Sequence, residues 1–306
     1  MPERPPGYGG RSPSIQWGDN VFDMPIGMVQ HYEFDCILFQ EDQHYLEDQY
    51  LYLSPSQRRL PRIYLEHDLP HEHPTDMHHP MDDADVLLVH VTPFNALMWD
   101  SGKIPMRVIE YGVVVPENVA YIGNIAKGLT LIDHLGIGER RLGRDIFSAI
   151  REQIPLDLAG ASAEDPGNGD EGLLQQRIAS FASYRFFFNP IRYGNLNLAV
   201  IEAMMIGQPI IGLATCELAT VIDNGVSGYI DTDINKLAAH MHVLLGDPDY
   251  ARLLGEGARR RAMQRFNIHR FIADWNAAFS QVTGFPLSTA QLVKPIPLGL
   301  LQRSPD

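Results

Sequence analysis

Cysteine is scarce in this chain: Cys36 and Cys216 are the only two among 306 residues. A disulfide framework needs more pairs than that, and the two sit far apart in apolar contexts, so a reducing, cytoplasmic setting is expected. Basic residues are also short. Lys and Arg number 24 against 38 Asp and Glu, a formal net charge of −14. That balance argues against a nucleic-acid partner, because neutralising phosphate backbones takes clustered cations. It equally disfavours electrostatic attachment to an anionic membrane. No apolar run reaches the roughly 20 residues that span a bilayer, and no signal-peptide pattern opens the sequence. What is present suffices for folding: 45% of the residues are hydrophobic and 20% charged, enough for two domains of ordinary size.

The opening "MPERPPGYGGRSPSIQWGDN" is rich in Pro and Gly and has no period. After it, "DCILFQ", "PRIYLEHD" and "DADVLLVHV" are short apolar runs bounded by turn formers, the signature of strands buried on both faces. Helical segments are expected near Tyr45 to Leu53 and Thr92 to Trp99, and a fourth run, "RVIEYGVVVP", ends at a hinge, Pro116. The second half repeats the grammar: strands "LTLIDHL", "PLDLAG", "YRFFFNP", "PIIGLA" and "GYI" alternate with helices, among them "GRDIFSAIREQ" and "INKLAAHMHVLL". Alternation of this kind predicts an α/β protein of two Rossmann-like, doubly wound parallel-sheet domains. The expected division is residues 1–116, 117–282 and a proline-rich tail, 283–306.

The stretch "RYGNLNLAVIEAMMIGQPIIG", residues 192–212, holds the main candidate site. A helix is expected to begin near Leu196 or Asn197, at the carboxyl end of a strand, where free N–H groups and the helix dipole favour a phosphate. Gly194 allows close approach of a ligand to the backbone. Glu202, one to two turns in, has two acceptor oxygens that suit the vicinal diol of a ribose. A solvated or capped carboxylate is the plain alternative.

From "NPIRYGN" through "EAMMIGQPIIG", "DNGVSGYI" and "GDPDY" to "QRFN", about 80 residues resemble the C-terminal domain of family 4 glycosyltransferases of the GT-B fold. "IYLEHD", "VLLVHVTPFNALMW" and "RVIEYGVVVP" resemble that family's N-domain landmarks more weakly. The resemblance implies a retaining hexosyltransferase that uses a nucleoside-diphosphate sugar as donor substrate and needs no cofactor or bound metal. Its acceptor would be a hydroxyl on a glycan, lipid or small molecule. By the same likeness Glu202 holds the ribose, Gly194, Asn195 and Asn197 border the donor, and His67 faces the sugar or acceptor. Arg140 and Arg141 fit the family's diphosphate clamp, and two cations there would stabilise charge on the departing diphosphate. A surface pair of helix-start arginines is the alternative reading.

Two departures stand out. The family's paired glutamates, E-x7-E, are here Gly194 and Glu202, which opens a second class of reading: a non-catalytic sugar-nucleotide-binding or scaffold protein. The family's first strand and glycine loop have no clear counterpart, so a short or truncated N-terminal domain is expected, with "GYGGR" (Gly7 to Arg11) a flexible tail rather than a remnant of that loop. Lys127, in "YIGNIAKG", mimics a family string but is expected to precede its strand. The histidines of "HDLPHEHPTDMHH" lack zinc-ligand spacing and are broken by prolines, so they read as a polar loop in which His71 and His73 are within reach of an acceptor. "DTD" (Asp231 to Asp233) reads as a helix cap. "GARRRAMQR" reads as a solvated basic face, and "FFF" (Phe186 to Phe188) as a central strand.

Overall fold

The computed structural model describes residues 21, 23–131, 140–159 and 178–286. The expectations for "GYGGR" and for the tail beyond residue 286 lie outside them. Two parallel sheets form the framework. The first has the order β1-β2-β3-β4, from β1 (Ile37–Phe39), β2 (Arg62–Glu66), β3 (Val86–His90) and β4 (Met106–Val108). Between its strands lie a short helix α1 (Gln49–Tyr52) and α2 (Pro93–Met98). Alternate residues of β2 and β3 feed opposite layers: Tyr64, Val86 and Leu88 enter one core with Phe39, Tyr45 and Met81, while Ile63, Leu87 and Val89 enter the other. Both faces are covered, and that is why these strands read as unbroken apolar runs rather than alternating ones.

The second sheet has the order β6-β5-β7-β8-β9. Its strands are β5 (Ile125–Leu131), β6 (Leu156–Ala159), β7 (Tyr184–Asn189), β8 (Ile210–Leu213) and β9 (Gly228–Asp231). Around it pack α3 (Arg144–Arg151), α4 (Leu198–Ile206), α5 (Leu218–Val221), α6 (Ile234–Gly246) and α7 (Pro248–Arg265). Strand β5 starts earlier than "LTLIDHL" suggests and takes in Lys127, whose Nζ lies 3.0 Å from Asp157 on β6. The "IAK" opening is exposed and carries a charge, so it lacks the continuous apolar signature expected of a buried strand. Buried Arg185 of β7 donates to the carbonyls of Leu244 (3.0 Å) and Leu245 (2.9 Å), pairing a cation with the negative end of α6.

The last helix, α8 (Ile268–Thr283), leaves the second sheet and packs Phe271, Trp275, Ala278 and Phe279 against Ile63, Leu87 and Val89 of the first. The sequence reading sets this helix at the end of the second half, yet its core partners lie in the first. The crossing ties the two sheets together. No helix among the described residues is long and apolar enough to cross a membrane.

Candidate functional site

In the second sheet the chain runs from β5 outward to β6, then returns to the other side of β5 as β7. That reversal is a topological switch point, and ligands of open α/β sheets bind outside the strand carboxyl ends at such points. Asn197 stands there. Its Oδ1 accepts from Ala199 N (2.9 Å) as the N-cap of α4, while its Nδ2 donates to the carbonyl of Leu131 (3.0 Å), the last residue of β5. The helix begins at Leu198, within two residues of the position expected from sequence, and its amino end is fixed over the switch point.

Helix α4 is buried almost all round. Ala199, Val200, Ile201 and Ala203 to Ile206 are in the core, while Leu198 is exposed and Glu202 half-buried. Residues four apart share a face, so Leu198 and Glu202 mark one open stripe leading to the amino end. A carboxylate on a helix this apolar must reach water or a partner to avoid a large desolvation cost, and the stripe provides the route. The helix ends at Gly207, whose φ of 91° is left-handed and whose N–H returns to Met204 O.

The loop between β7 and α4 reaches the first sheet. Asn195 Nδ2 donates to the carbonyl of His67, and Asn195 Oδ1 accepts from Asn95 Nδ2 at 3.5 Å. Tyr193 donates its hydroxyl to Pro70 O at 3.0 Å. The candidate residues Asn195 and His67 are thereby brought together across the two sheets, with the half-exposed His67 ring just beyond the end of β2. Gly194 needs no left-handed backbone; a Cβ added there meets one atom, Ile191 Cγ2, at 3.2 Å.

Arg140 and Arg141 are exposed at the start of α3. Their carbonyls accept from Arg192, the first from Nη1 at 2.6 Å and the second from its N–H at 2.9 Å, so they flank the same loop. Arg192 also holds Asp145 through two parallel bonds of 2.6 and 2.7 Å, which lower the Asp145 carboxyl to about pKa 2. A cavity of about 380 Å³ beside them is lined by Arg140, Arg144, Asp145 and Ser148. The Arg140 guanidinium lies 3.5 Å from Asp145, and the backbones of both arginines are anchored by Arg192.

Several residues at this junction escaped the sequence reading. Glu217, 1% exposed, follows β8. Its Oε2 accepts from Phe94 N of α2 (2.8 Å), and its Oε1 meets Arg265 of α7, which also holds Glu110 at 2.5 Å. A guanidinium between two carboxylates thus spans the sheets, and Glu110 and Glu217 raise the Arg265 pKa against the opposing effect of burial. Asn189, the last residue of β7, has an Oδ1 closed to solvent and without a hydrogen-bond partner. The one available signal for both was their place at strand carboxyl ends. The histidine-rich loop also resolves: His71 and His73 are exposed, whereas His79 is buried against Glu66. Among the described residues no group of three or more His, Cys, Asp or Glu is arranged to hold a metal. Asp233 caps α6 by accepting from Asn235 N at 2.9 Å, as expected.

A family model described as glycosyl transferases group 1 matches residues 171–247, about a quarter of the chain, including β7, α4, β8 and β9. No curated protein matches. Among solved structures, sucrose-phosphate synthase from Thermosynechococcus elongatus is similar with a TM-score of 0.62 at 19% identity, over 82% of this chain and 74% of its own. Anabaena Alr3699/HepE in complex with UDP and glucose has a TM-score of 0.59 at 14% identity, over 83% and 79%. S. aureus TarM in complex with UDP has a TM-score of 0.55 at 13% identity over 73% of this chain, which spans 52% of that protein's length. The protein therefore has the two-sheet α/β fold of the GT-B glycosyltransferases, with the group 1 match centred on the α4 segment.

Proposed function

We propose that this protein is a glycosyltransferase that moves a sugar from a nucleoside-diphosphate sugar to an acceptor hydroxyl. The observation that carries this reading is Asn197 fixing the amino end of α4 over the switch point of the second sheet, with Glu202 on the one open stripe of that helix. In this reading the α4 amino end, with Gly194 and Asn195 beside it, borders the diphosphate, Glu202 accepts from the ribose hydroxyls, and Arg140 and Arg141 swing onto the phosphates. His67 meets the transferred sugar or the acceptor. Retention of configuration, hexose as the sugar and independence of a metal are what the family likeness implies, and a cytoplasmic location is what the scarcity of cysteine suggests. The group 1 match and UDP-bound neighbours of the same fold support the donor class. A second reading, a protein that binds sugar nucleotides without transfer, is favoured by Gly194 standing where the family has its first glutamate.

Sugar-nucleotide hydrolysis or transfer across a panel of bases and sugars tests the proposal, with thermal shift as the binding readout. A nucleotide at about 100 times its dissociation constant adds about 2.7 kcal/mol to stability. At least one donor should shift and turn over in the wild type, and both effects should be clearly smaller in Glu202→Ala. Shifts without turnover support the binding-only reading; no shift with any nucleotide removes both.

A further inference from the structure

We infer that Glu66 and His79 form a buried positioning pair that sets the His67–Asp68 peptide at the junction of the two sheets; the inference rests on the role proposed for His67. Glu66 ends β2 and is buried, and the ring of His79 is closed to solvent. One carboxylate oxygen takes Asp68 N at 2.6 Å, and the other meets His79 Nε2 at 3.0 Å. Met81 N donates to His79 Nδ1 at 3.1 Å, so the ring hydrogen sits on Nε2 and is given to Glu66. His79 is itself tied down, its N–H bonded to Asp100 O at 2.9 Å and its ring edge-on to Tyr64 and Trp99. The Asp68 carbonyl is gripped as well, by Asn95 Nδ2 at 2.7 Å and Trp99 Nε1 at 2.8 Å.

Every polar group of the Asp68 peptide therefore has a protein partner, in a loop whose N–H would ordinarily face water. Charge-assisted bonds of this kind are short and strong. Burying a carboxylate against an imidazole costs desolvation that an apolar pair of similar size avoids, so stability alone gives no reason for it. What the pair fixes is the direction in which the chain leaves β2. His67 is the residue between, and its own carbonyl is met across the sheets by Asn195. A rotation of the Glu66 carboxylate moves the Asp68 N–H, and with it both the His67 ring and that bridge.

Glu66→Gln is the informative change. An amide can satisfy either Asp68 N–H or His79 Nε2–H through its one oxygen, but its NH2 then faces the other donor. Hydrogen exchange at the Asp68 amide and sugar-nucleotide turnover are measured on the full chain, with Glu66→Gln made in the wild type and in His67→Ala. His79→Gln, which keeps a donor toward Glu66, and His79→Leu, which does not, serve as a second pair. The expected result is exchange at Asp68 at least about tenfold faster in Glu66→Gln and His79→Leu, with most protection retained in His79→Gln. Turnover should fall in Glu66→Gln but not fall further when His67 is already Ala. Unchanged exchange overturns the inference, and so do losses at Glu66 and His67 that multiply. If no sugar nucleotide is bound or turned over by the wild type, the proposed function fails by itself, and the exchange comparison alone decides the clamp.

Discussion

Gly194 stands where the family likeness expects a carboxylate; its backbone is not left-handed, and an added Cβ meets one atom, a methyl of Ile191 at 3.2 Å, which must give by a few tenths of an ångström. Gly194→Glu is therefore expected to change stability by less than about 1 kcal/mol, as for surface substitutions generally, and to raise the transfer rate measured on the sugar-nucleotide panel. An unchanged rate would favour the binding-only reading. The Glu110–Arg265–Glu217 triad makes the opposite kind of prediction. Arg265→Met removes the cation shared by two carboxylates, one of them fully enclosed, and breaking a buried pair typically costs about 3–5 kcal/mol. Denaturant unfolding should show a loss near that size; a loss under about 1 kcal/mol would mean the carboxylates find water or other donors. At this scale the sequence was half legible. The start of α4 and the place of Glu202 one to two turns into it were legible from the strand-to-helix pattern, which is local. Glu217, Asn189, Tyr193 and Asn95 matter through partners 27 to 123 positions away, or through having none. No window of sequence displays that.

Helix α4 carries Glu202 and is capped by Asn197, the residues proposed to meet the donor, and two glycines hold α4. Gly207 ends it in a left-handed conformation, and Gly255 of α7 brings that helix so close that a Cβ would lie 1.9 Å from Gly207 O. Gly207→Ala should cost about 1 kcal/mol, the penalty of a Cβ at positive φ. Gly255→Ala forces the helices apart and should cost about 3 kcal/mol, near the upper end for overpacking. Thermal unfolding of the two variants distinguishes them; equal losses would show that α7 yields without strain. Element boundaries were readable wherever a side chain announces them. Asn197, Asp233 and the Asp247-Pro248 step each cap or open a helix as their chemistry requires. The start of β5 was missed because its first three residues are exposed and one is charged. Its pairing is a property of the sheet, not of the segment.

For the whole molecule, the destination of α8 was the least legible feature. Its apolar face is plain in "FIADWNAAF", but periodicity says that a face is buried and not against which sheet. The folded state also carries a pH signature. Burial pushes the phenols of Tyr45, Tyr111 and Tyr121 up to about 12, from 10.0 in the unfolded chain. The fold thus favours their neutral forms. This stabilisation is complete below pH 10 and is lost as pH climbs from there through 12. Tyrosinate absorbance should accordingly rise together with unfolding in that window; ionisation of these residues well before unfolding would contradict the assignment. The central claim, a ribose at Glu202 beside an anchored helix start, has a more direct test. Nucleoside diphosphates and their dideoxyribose counterparts are titrated by calorimetry against the wild type and Glu202→Ala. The account predicts that wild-type affinity drops at least about tenfold when the ribose hydroxyls are absent, and that Glu202→Ala binds both forms alike. Equal discrimination by the two proteins would contradict it.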